Sequence, residues 1–407
     1  MLAAEALDHL KSQTRFTPLG EPAGNLTIGR GMVDGRTVQV AIIENRIASG
    51  SLGVRESEAL ASLFNVVAAE KTGLVMYLDS AGARVSEGLP ALGAFRKMYR
   101  AALAMTASGA PLSAICGVNC FGGASMLASL AGTRHFSENT RFAMSGPAIL
   151  AQNAGAPVLD DMFQALAQAA IGAEARAKLA DGNMLASKAA RWGAEPAAPN
   201  PMVRHALLES RLARLQRSKP AVAGEQIERK DLAKLFPGGH SLFERDGIVS
   251  GEAVYHGAPV QVLGMVNRRP LGAVAAWALA DAVWRMQVSP PPALHILIDS
   301  ESHAATLDEE RIMLSAYLAN LALALFALEQ TGVRIEVTVL GKLGGGVYVA
   351  LAAPATQVNL LYGMQIQLLP GSAIASILGA GNTDKFEFAD YHQARVADQE
   401  LKLGLVP

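Results

Sequence analysis

The sequence predicts an α/β protein made of two tandem copies of one domain, each with a parallel β-sheet flanked by helices. Three observations predict it. Sequence features recur in order at a near-constant offset, short continuous apolar runs alternate with helical periodicities, and the apolar runs end in glycine turns. Gly35-Arg36-Thr37-Val38-Gln39-Val40 returns as Gly257-Ala258-Pro259-Val260-Gln261-Val262, 222 residues on. Leu74-Val75-Met76-Tyr77-Leu78-Asp79-Ser80 returns as Leu294-His295-Ile296-Leu297-Ile298-Asp299-Ser300, 220 residues on, and Gly122-Gly123 returns as Gly345-Gly346, 223 residues on. A period near 220 is far too long for a solenoid, so it marks a duplicated domain. A chain of 407 residues has room for two or three.

Each element follows from its own pattern. Residues 37–44 are apolar and β-branched, a strand, and 53–71 carry Leu60, Leu63, Phe64 and Val67 at helical spacing. Residues 74–79 form a continuous apolar run, as expected of a strand buried on both faces. A helix over 89–108, a strand over 112–118 and a helix over 122–130 complete the first copy. The second repeats the order at 260–266, 273–286, 294–299, 309–329, 334–340 and 345–352. Between them, residues 191–240 are charged and carry Pro196, Pro199, Pro201, Pro220 and Gly224. They read as a connector with one amphipathic helix over 202–217, giving domains 1–190 and 241–407.

Composition narrows the function. Apolar residues make up 51% of the chain and charged residues 17%, which excludes a disordered protein. The net charge of −1 demotes a nucleic-acid or anionic-membrane coat. Two cysteines, Cys116 and Cys120, support neither a disulfide framework nor a four-thiolate zinc site. The start of the chain lacks the order of a signal peptide, and apolar stretches break before about 18 residues, so a cytoplasmic protein without spanning helices is expected.

The chemistry is expected where strands meet glycines. Strand 112–118 runs into Asn119-Cys120-Phe121-Gly122-Gly123-Ala124-Ser125, and strand 74–79 into Ser80-Ala81-Gly82-Ala83-Arg84. Glycines at a strand-to-helix turn leave N–H groups unobstructed, with the helix dipole behind them. If the strands are neighbours, N–H groups near Ala83 and Gly123 converge on one oxygen as an oxyanion hole for a thioester enolate. The competing reading, glycines that merely permit tight turns, is weakened by the repetition of the double glycine in the second copy.

These residues resemble a known family. The run from Ala114 to Gly123 is similar to the thioester oxyanion segment of the crotonase superfamily. Asp79-Ser80-Ala81-Gly82-Ala83-Arg84-Val85-Ser86-Glu87-Gly88 resembles its carboxyltransferase branch, and Phe142-Ala143-Met144-Ser145-Gly146-Pro147 fits the segment that follows. The first copy resembles the β subunit of malonate decarboxylase. The second, through Gly341-Lys342-Leu343-Gly344-Gly345-Gly346, resembles the γ subunit, which suggests a β–γ fusion. The resemblance implies tandem crotonase-like (ClpP/crotonase) domains over most of residues 25–390. Hydratases of this superfamily place glutamates where this chain has Ser125 and Ala148, so hydration lacks its acid and base.

What the resemblance implies is biotin-independent decarboxylation of a malonyl thioester, on coenzyme A or an acyl carrier protein, through an oxyanion-stabilised enolate. Gly82, Ala83, Gly122 and Gly123 would hold the thioester oxygen, and Gly345, Gly346 and Val347 a second hole. Arg84, Ala124, Ser302 and His303 would bind substrate. Alternatives are the carboxyltransferase component of a biotin-dependent acyl-CoA carboxylase or decarboxylase, and a non-catalytic scaffold subunit. No biotin-attachment Met-Lys-Met occurs, so biotin would ride on a partner. No tightly bound cofactor and no metal are expected; coenzyme A or a phosphopantetheine-type thioester is the substrate carrier. Expected partners are an acyl carrier protein, an acyl-transferase subunit and further copies of the chain, with the site paired across a dimer.

Other residues have plainer readings. Glu87 would complement the start of its own helix, and Cys116 and Cys120 would be small buried apolar residues. His303, at the second copy's strand end, is the one histidine in a promising place, where an exposed loop position competes with a role toward a carboxylate; Lys342 either pairs with an anion or is a solvated strand-end lysine. Arg204, Arg211, Arg214, Arg217 and Lys219 form a basic stripe on the connector helix, either a solvated face or a dock for an acidic carrier protein.

Overall fold

The computed structural model describes residues 1–155, 159–179, 181–193, 200–215, 224–227, 229–266, 268–361 and 364–369. After helix α1 (Ala3–Gln13), the first half forms one sheet from β1 (Thr17–Pro18), β2 (Leu26–Val33), β3 (Arg36–Ile43), β4 (Gly73–Ser80), β5 (Leu112–Phe121), β6 (Thr133–Phe136), β7 (Arg141–Ala143) and β8 (Asn183–Leu185). The strand order is β1-β2-β3-β4-β5-β6-β8, with β7 paired to β5. From β3 to β8 every pairing is parallel, whereas β1, β2 and β3 pair antiparallel, so the sheet is mixed rather than wholly parallel. Helices α2 (Val54–Glu70) and α3 (Gly88–Ala107) return the chain between parallel strands, as parallel pairing requires. Short helices α4 (Gly123–Ala128), α5 (Pro147–Asn153), α6 (Asp161–Ile171) and α7 (Ala173–Ala177) complete this half.

The second half repeats the plan. Its strands are β9 (Glu225–Gln226), β10 (His240–Arg245), β11 (Ile248–Tyr255), β12 (Ala258–Met265), β13 (Ala293–Ser300), β14 (Arg334–Gly344), β15 (Gln357–Leu360) and β16 (Gln365–Gln367). They are ordered β15-β14-β13-β12-β11-β10-β9, with β16 paired to β14. Beside them lie α8 (Pro201–Leu212), α9 (Lys230–Leu235), α10 (Ala273–Met286), α11 (Leu307–Arg311), α12 (Leu314–Glu329) and α13 (Gly345–Ala352). The duplication extends to irregularities: the β4–β5 register shifts between Leu78 and Ser80, and the β13–β14 register between Ile298 and Ser300.

Three differences from the sequence reading matter. β5 continues past Val118 to Phe121 because Asn119, Cys120 and Phe121 find a new parallel partner in β7. The helix expected over 309–329 breaks at Met313, whose φ of 69° ends α11 and starts α12. The stretch 191–240 is more than a connector: α8 packs on α10 and α12, burying Arg204, His205, Leu208 and Arg211.

Helix α12 joins the halves. Residues Leu314 to Phe326 are buried all round, and the helix packs against α3, α4, α10 and α13. One apolar core therefore runs through both copies, from Phe64 and Phe95 to Leu321 and Val347. Helix α3 fixes the far end of α13: Arg96 Nε donates to Ala352 O (3.1 Å), and Arg100 Nη1 to Ala353 O and Pro354 O (both 3.2 Å). Guanidinium groups suit the unpaired carbonyls and negative dipole end of a helix C-terminus.

Candidate functional site

Strands β4 and β5 are adjacent and parallel, so their C-terminal turns lie side by side. Gly82 (φ +95°) and Gly122 (φ +53°) both adopt backbone angles that favour glycine. The turns touch: a Cβ on Gly82 would sit 2.9 Å from Phe121 O and 3.3 Å from Gly123 N. Helix α4 starts at Gly123, so the N–H groups of Gly123 and Ala124 belong to its first turn and have no helical acceptor. Around Ala83, Leu52 N donates to Gly82 O and Arg84 N to Leu52 O, both at 2.8 Å. That bridge turns the Ala83 N–H away from Leu52, as alternation along an extended chain dictates.

The second copy builds the same bridge. Leu271 N donates to Ser302 O and Ala304 N to Leu271 O, both at 3.0 Å. Ser302 and His303 thus stand where Gly82 and Ala83 stand in the first copy. Helix α13 begins at Gly345, and Gly346 abuts the first half: a Cβ there would lie 2.6 Å from Met144 Cε, 3.5 Å from Met126 Sδ and 3.8 Å from His303 Nδ1.

Both sets of turns open into one chamber of about 570 Å³. Its walls include Ala83, Arg84, Gly122 and Gly123 from the first copy and His303, Gly345 and Gly346 from the second. Seven of the eleven expected site residues therefore meet, within a single chain. The other four do not form the walls. Gly82 underlies the turn, Ala124 and Val347 are buried in the core, and Ser302 directs its hydroxyl to His303 O (3.1 Å). Phe95, Met126, Met144 and Val349 make the remaining wall strongly apolar.

Arg84 is not free to take a substrate anion. Its guanidinium pairs with Glu56, donates to Glu87 Oε1 (2.8 Å) and to Ser51 O (2.8 Å), so its fork is already filled. Burial alone would raise the Glu56 carboxyl, but hydrogen bonds from Arg84 and the Asn25 N–H hold it below its usual range. Glu87 complements α2 rather than its own helix, accepting from Val54 N at 2.7 Å. Glu309 repeats that device at α10, accepting from Ala273 N at 2.7 Å.

His303 is buried rather than an exposed loop residue, and it crosses between the copies: its Nε2 lies 2.8 Å from Ser145 Oγ. Burial pushes its pKa down to about 4, so the ring is neutral at pH 7. Ser145 N donates to Glu310 Oε1 (3.0 Å), and Glu310 faces the buried Arg176 at 3.7 Å. Burial raises Glu310 to about 7, with Arg176 and the Ser145 N–H only partly offsetting it. Sequence reasoning quoted Ser145 within a motif but gave it no role, and Glu310 carried no signal; only the fold joins residues so far apart.

Two members of the expected basic stripe are buried. Arg204 is buried against Asp181 (3.2 Å), Ser129 O and Ala131 O, and Arg211 is also buried. Arg217 and Lys219 lie outside the described residues, as does the side chain of Arg214. Lys342 pairs with Glu301 at 3.4 Å. Cys116 and Cys120 are buried thiols, and burial pushes Cys120 well up, away from thiolate chemistry. Among the described residues no cluster of His, Cys, Asp or Glu is arranged to hold a metal, and no helix is long and apolar enough to cross a membrane.

The first copy's glycine turns and strands β1 to β7 fall inside one stretch of family likeness. Residues 5–172 match the carboxyl transferase domain family. The match ends before α8, so the second copy's relation to the first rests on the repeated topology above. The methylmalonyl-CoA carboxyltransferase 12S subunit of Propionibacterium freudenreichii subsp. shermanii is 28% identical over 140 residues, 34% of this chain and 26% of that protein. The acetyl-coenzyme A carboxylase carboxyl transferase subunit beta of Gluconobacter oxydans (strain 621H) is 26% identical over 144 residues, 35% of this chain and 49% of that protein. The chain thus spans between a quarter and a half of these relatives' length. Among solved structures, a Pseudomonas malonate decarboxylase hetero-tetramer in complex with malonate aligns with 53% of this chain and 91% of its own, at 21% identity and a TM-score of 0.47. The transcarboxylase 12S hexamer aligns with 98% of this chain and 85% of its own, at 21% identity and a TM-score of 0.40.

Proposed function

We propose that the chain is an acyl-thioester decarboxylase of the carboxyltransferase type, acting on a malonyl group carried by coenzyme A or a carrier protein. The observation that carries this reading is the single chamber walled by Gly122–Gly123 and by Gly345–Gly346. The Gly123 and Ala83 N–H groups receive the thioester oxygen. As the bond to the carboxyl carbon breaks, that oxygen becomes an enolate, and one preorganised donor lowers the barrier by about 3–4 kcal/mol. The second turn, Gly345, Gly346 and the Val347 N–H, receives the carboxylate. Gly82 keeps the first turn in place, Arg84 clamps the loop beside it, and Ala124 and Ser302 support the two turns from behind.

Decarboxylation is favoured over transfer by the character of the walls. Arg84 is neutralised by two carboxylates and His303 is uncharged, so an entering carboxylate leaves water for a few neutral N–H donors set among largely apolar walls. Exchanging full solvation for neutral donors raises the ground state toward carbon dioxide loss. Carboxyl transfer is the second reading, because the relatives matched over the first half are carboxyl transferase subunits. Carbon dioxide release from malonyl-coenzyme A and malonyl-carrier protein, with and without avidin, separates the two. Avidin-insensitive release supports decarboxylation; release only with a biotinylated partner supports transfer, and no turnover with either overturns both.

A further inference from the structure

The duplicated frame places a polar side chain where the first copy has only a methyl group. Ala83 presents only a methyl group at its bridge, whereas the matching position in the second copy carries the imidazole of His303, which faces the chamber. The ring is held from the opposite half. Ser145 is buried, and among the described residues the polar atom within hydrogen-bond distance of its hydroxyl is His303 Nε2, at 2.8 Å. A buried hydroxyl places its proton on an available acceptor. Nε2 then accepts, and the ring proton sits on Nδ1. Nδ1 is the nitrogen beside Gly346, 3.8 Å from the place of a Cβ there, at the second glycine turn. Ser145 is itself fixed, because its N–H is anchored on Glu310.

We infer that His303 is the donor that orients the substrate carboxylate, its Nδ1–H turned into the chamber because Ser145 of the other copy fixes the tautomer. The inference rests on the functional reading above and extends it to the recognised group: a thioester bearing a free carboxylate two atoms from the carbonyl. A neutral donor suits that task. It holds the breaking bond perpendicular to the thioester plane, where its electrons pass into the forming enolate, without the charge attraction that would hold the carboxylate back. Ser145 acts only through His303 and is a positioning residue.

The first test needs no turnover. Long-range proton–nitrogen correlation on histidine-labelled protein at pH 7, with the His303 signal assigned by its loss in H303N, reports which nitrogen carries the proton. An Nδ1–H ring in the wild type, with the Nε2–H form populated in S145A, is expected. An Nε2–H or doubly protonated ring in the wild type overturns the inference. The second test measures affinity for malonyl-coenzyme A and for acetyl-coenzyme A, which lacks the carboxylate. S145A and H303A should weaken malonyl-coenzyme A by about 10- to 100-fold, the effect of one hydrogen bond to a charged group, and leave acetyl-coenzyme A unchanged. H303N, whose amide reaches the Nδ1 position, should restore more affinity than H303Q. Equal weakening of both thioesters in the variants overturns the donor role alone. A wild type that binds neither thioester overturns the functional reading and, with it, this one.

Discussion

The Gly123 N–H is assigned as an oxyanion donor, and its surroundings allow that assignment to be separated from mere packing. A methyl on Gly123 would sit 2.8 Å from Phe95 Cε2 and 3.0 Å from Cε1, and nearer still to Cζ. Phe95 is fully buried and stacked on Tyr99, so the ring has little room to retreat. Gly123→Ala should therefore cost about 1–3 kcal/mol of stability, as overpacking does. It should also reduce turnover by displacing the turn. Phe95→Leu removes the ring tip that the methyl meets, so in that background Gly123→Ala should cost less stability than alone, and turnover should recover. Gly123→Pro adds the same Cβ and also deletes the N–H, at the first helical position where proline is tolerated. In the Phe95→Leu background, the Pro variant should turn over about 10²–10³-fold more slowly than the Ala variant, the measured worth of one oxyanion donor. Urea unfolding gives the stabilities, and carbon dioxide release from malonyl-coenzyme A gives the rates. Equal turnover by the two double variants, both folded, would refute the assignment of that N–H.

Other expectations follow from the same contacts. Gly82→Ala forces a side chain onto φ +95° and against Phe121 O; it should cost about 1–3 kcal/mol and lower turnover together, read by thermal melting and the same assay. Arg84→Met strips the fully buried Glu56 of its partner and should cost about 3–5 kcal/mol in urea unfolding, whereas a substrate-only role predicts unchanged stability. The pH dependence of stability has two opposed parts. Glu310, with its folded pKa up at about 7, favours folding fully below its unfolded value and loses that advantage as pH rises toward 7. His303 and His295, both down at about 4, favour folding above about 6.5 and lose that contribution as pH falls toward 4. Glu310→Gln should therefore make stability rise with pH between 4.5 and 6.5 more steeply than in the wild type, by about 3 kcal/mol over the range at most. An unchanged slope in urea titrations across that window would count against a protonated Glu310.

Much of the fold was legible because buried parallel strands write themselves as apolar runs. β4 and β13 emerged within one residue at each end for that reason, and the repeat of their Asp-Ser ends exposed the duplication. β2 and β11 are partly solvated, and their mixed patterns gave no continuous run to read. The end of β5 depends on β7, a partner some twenty residues later, so Asn119 looked like a loop. The break at Met313 has no glycine or proline to announce it. Within the site, the glycine turns could be read because backbone conformation is local. The partners of Arg84 and His303 could not: Glu56 lies 28 residues from Arg84 and Ser145 lies 158 from His303. Arg204 and Arg211 do not join a solvated stripe because helical spacing gives a face but not what covers it; Arg204 meets Asp181 across the fold.

The helix layer shared by the two sheets ties the chamber to folding. Helix α12 has no solvent-facing side, and Ser129 Oγ meets Ser315 Oγ across the halves at 3.2 Å while Arg100 pairs with Glu329 at 2.8 Å. Neither half can melt without stripping the cover from the other, so the duplicated chain should lose structure in one cooperative step instead of two. Each half made alone would carry an open greasy face and would regain solubility only by finding its complement. A chamber built across that seam cannot be half-formed: every molecule that has one glycine turn in place has both.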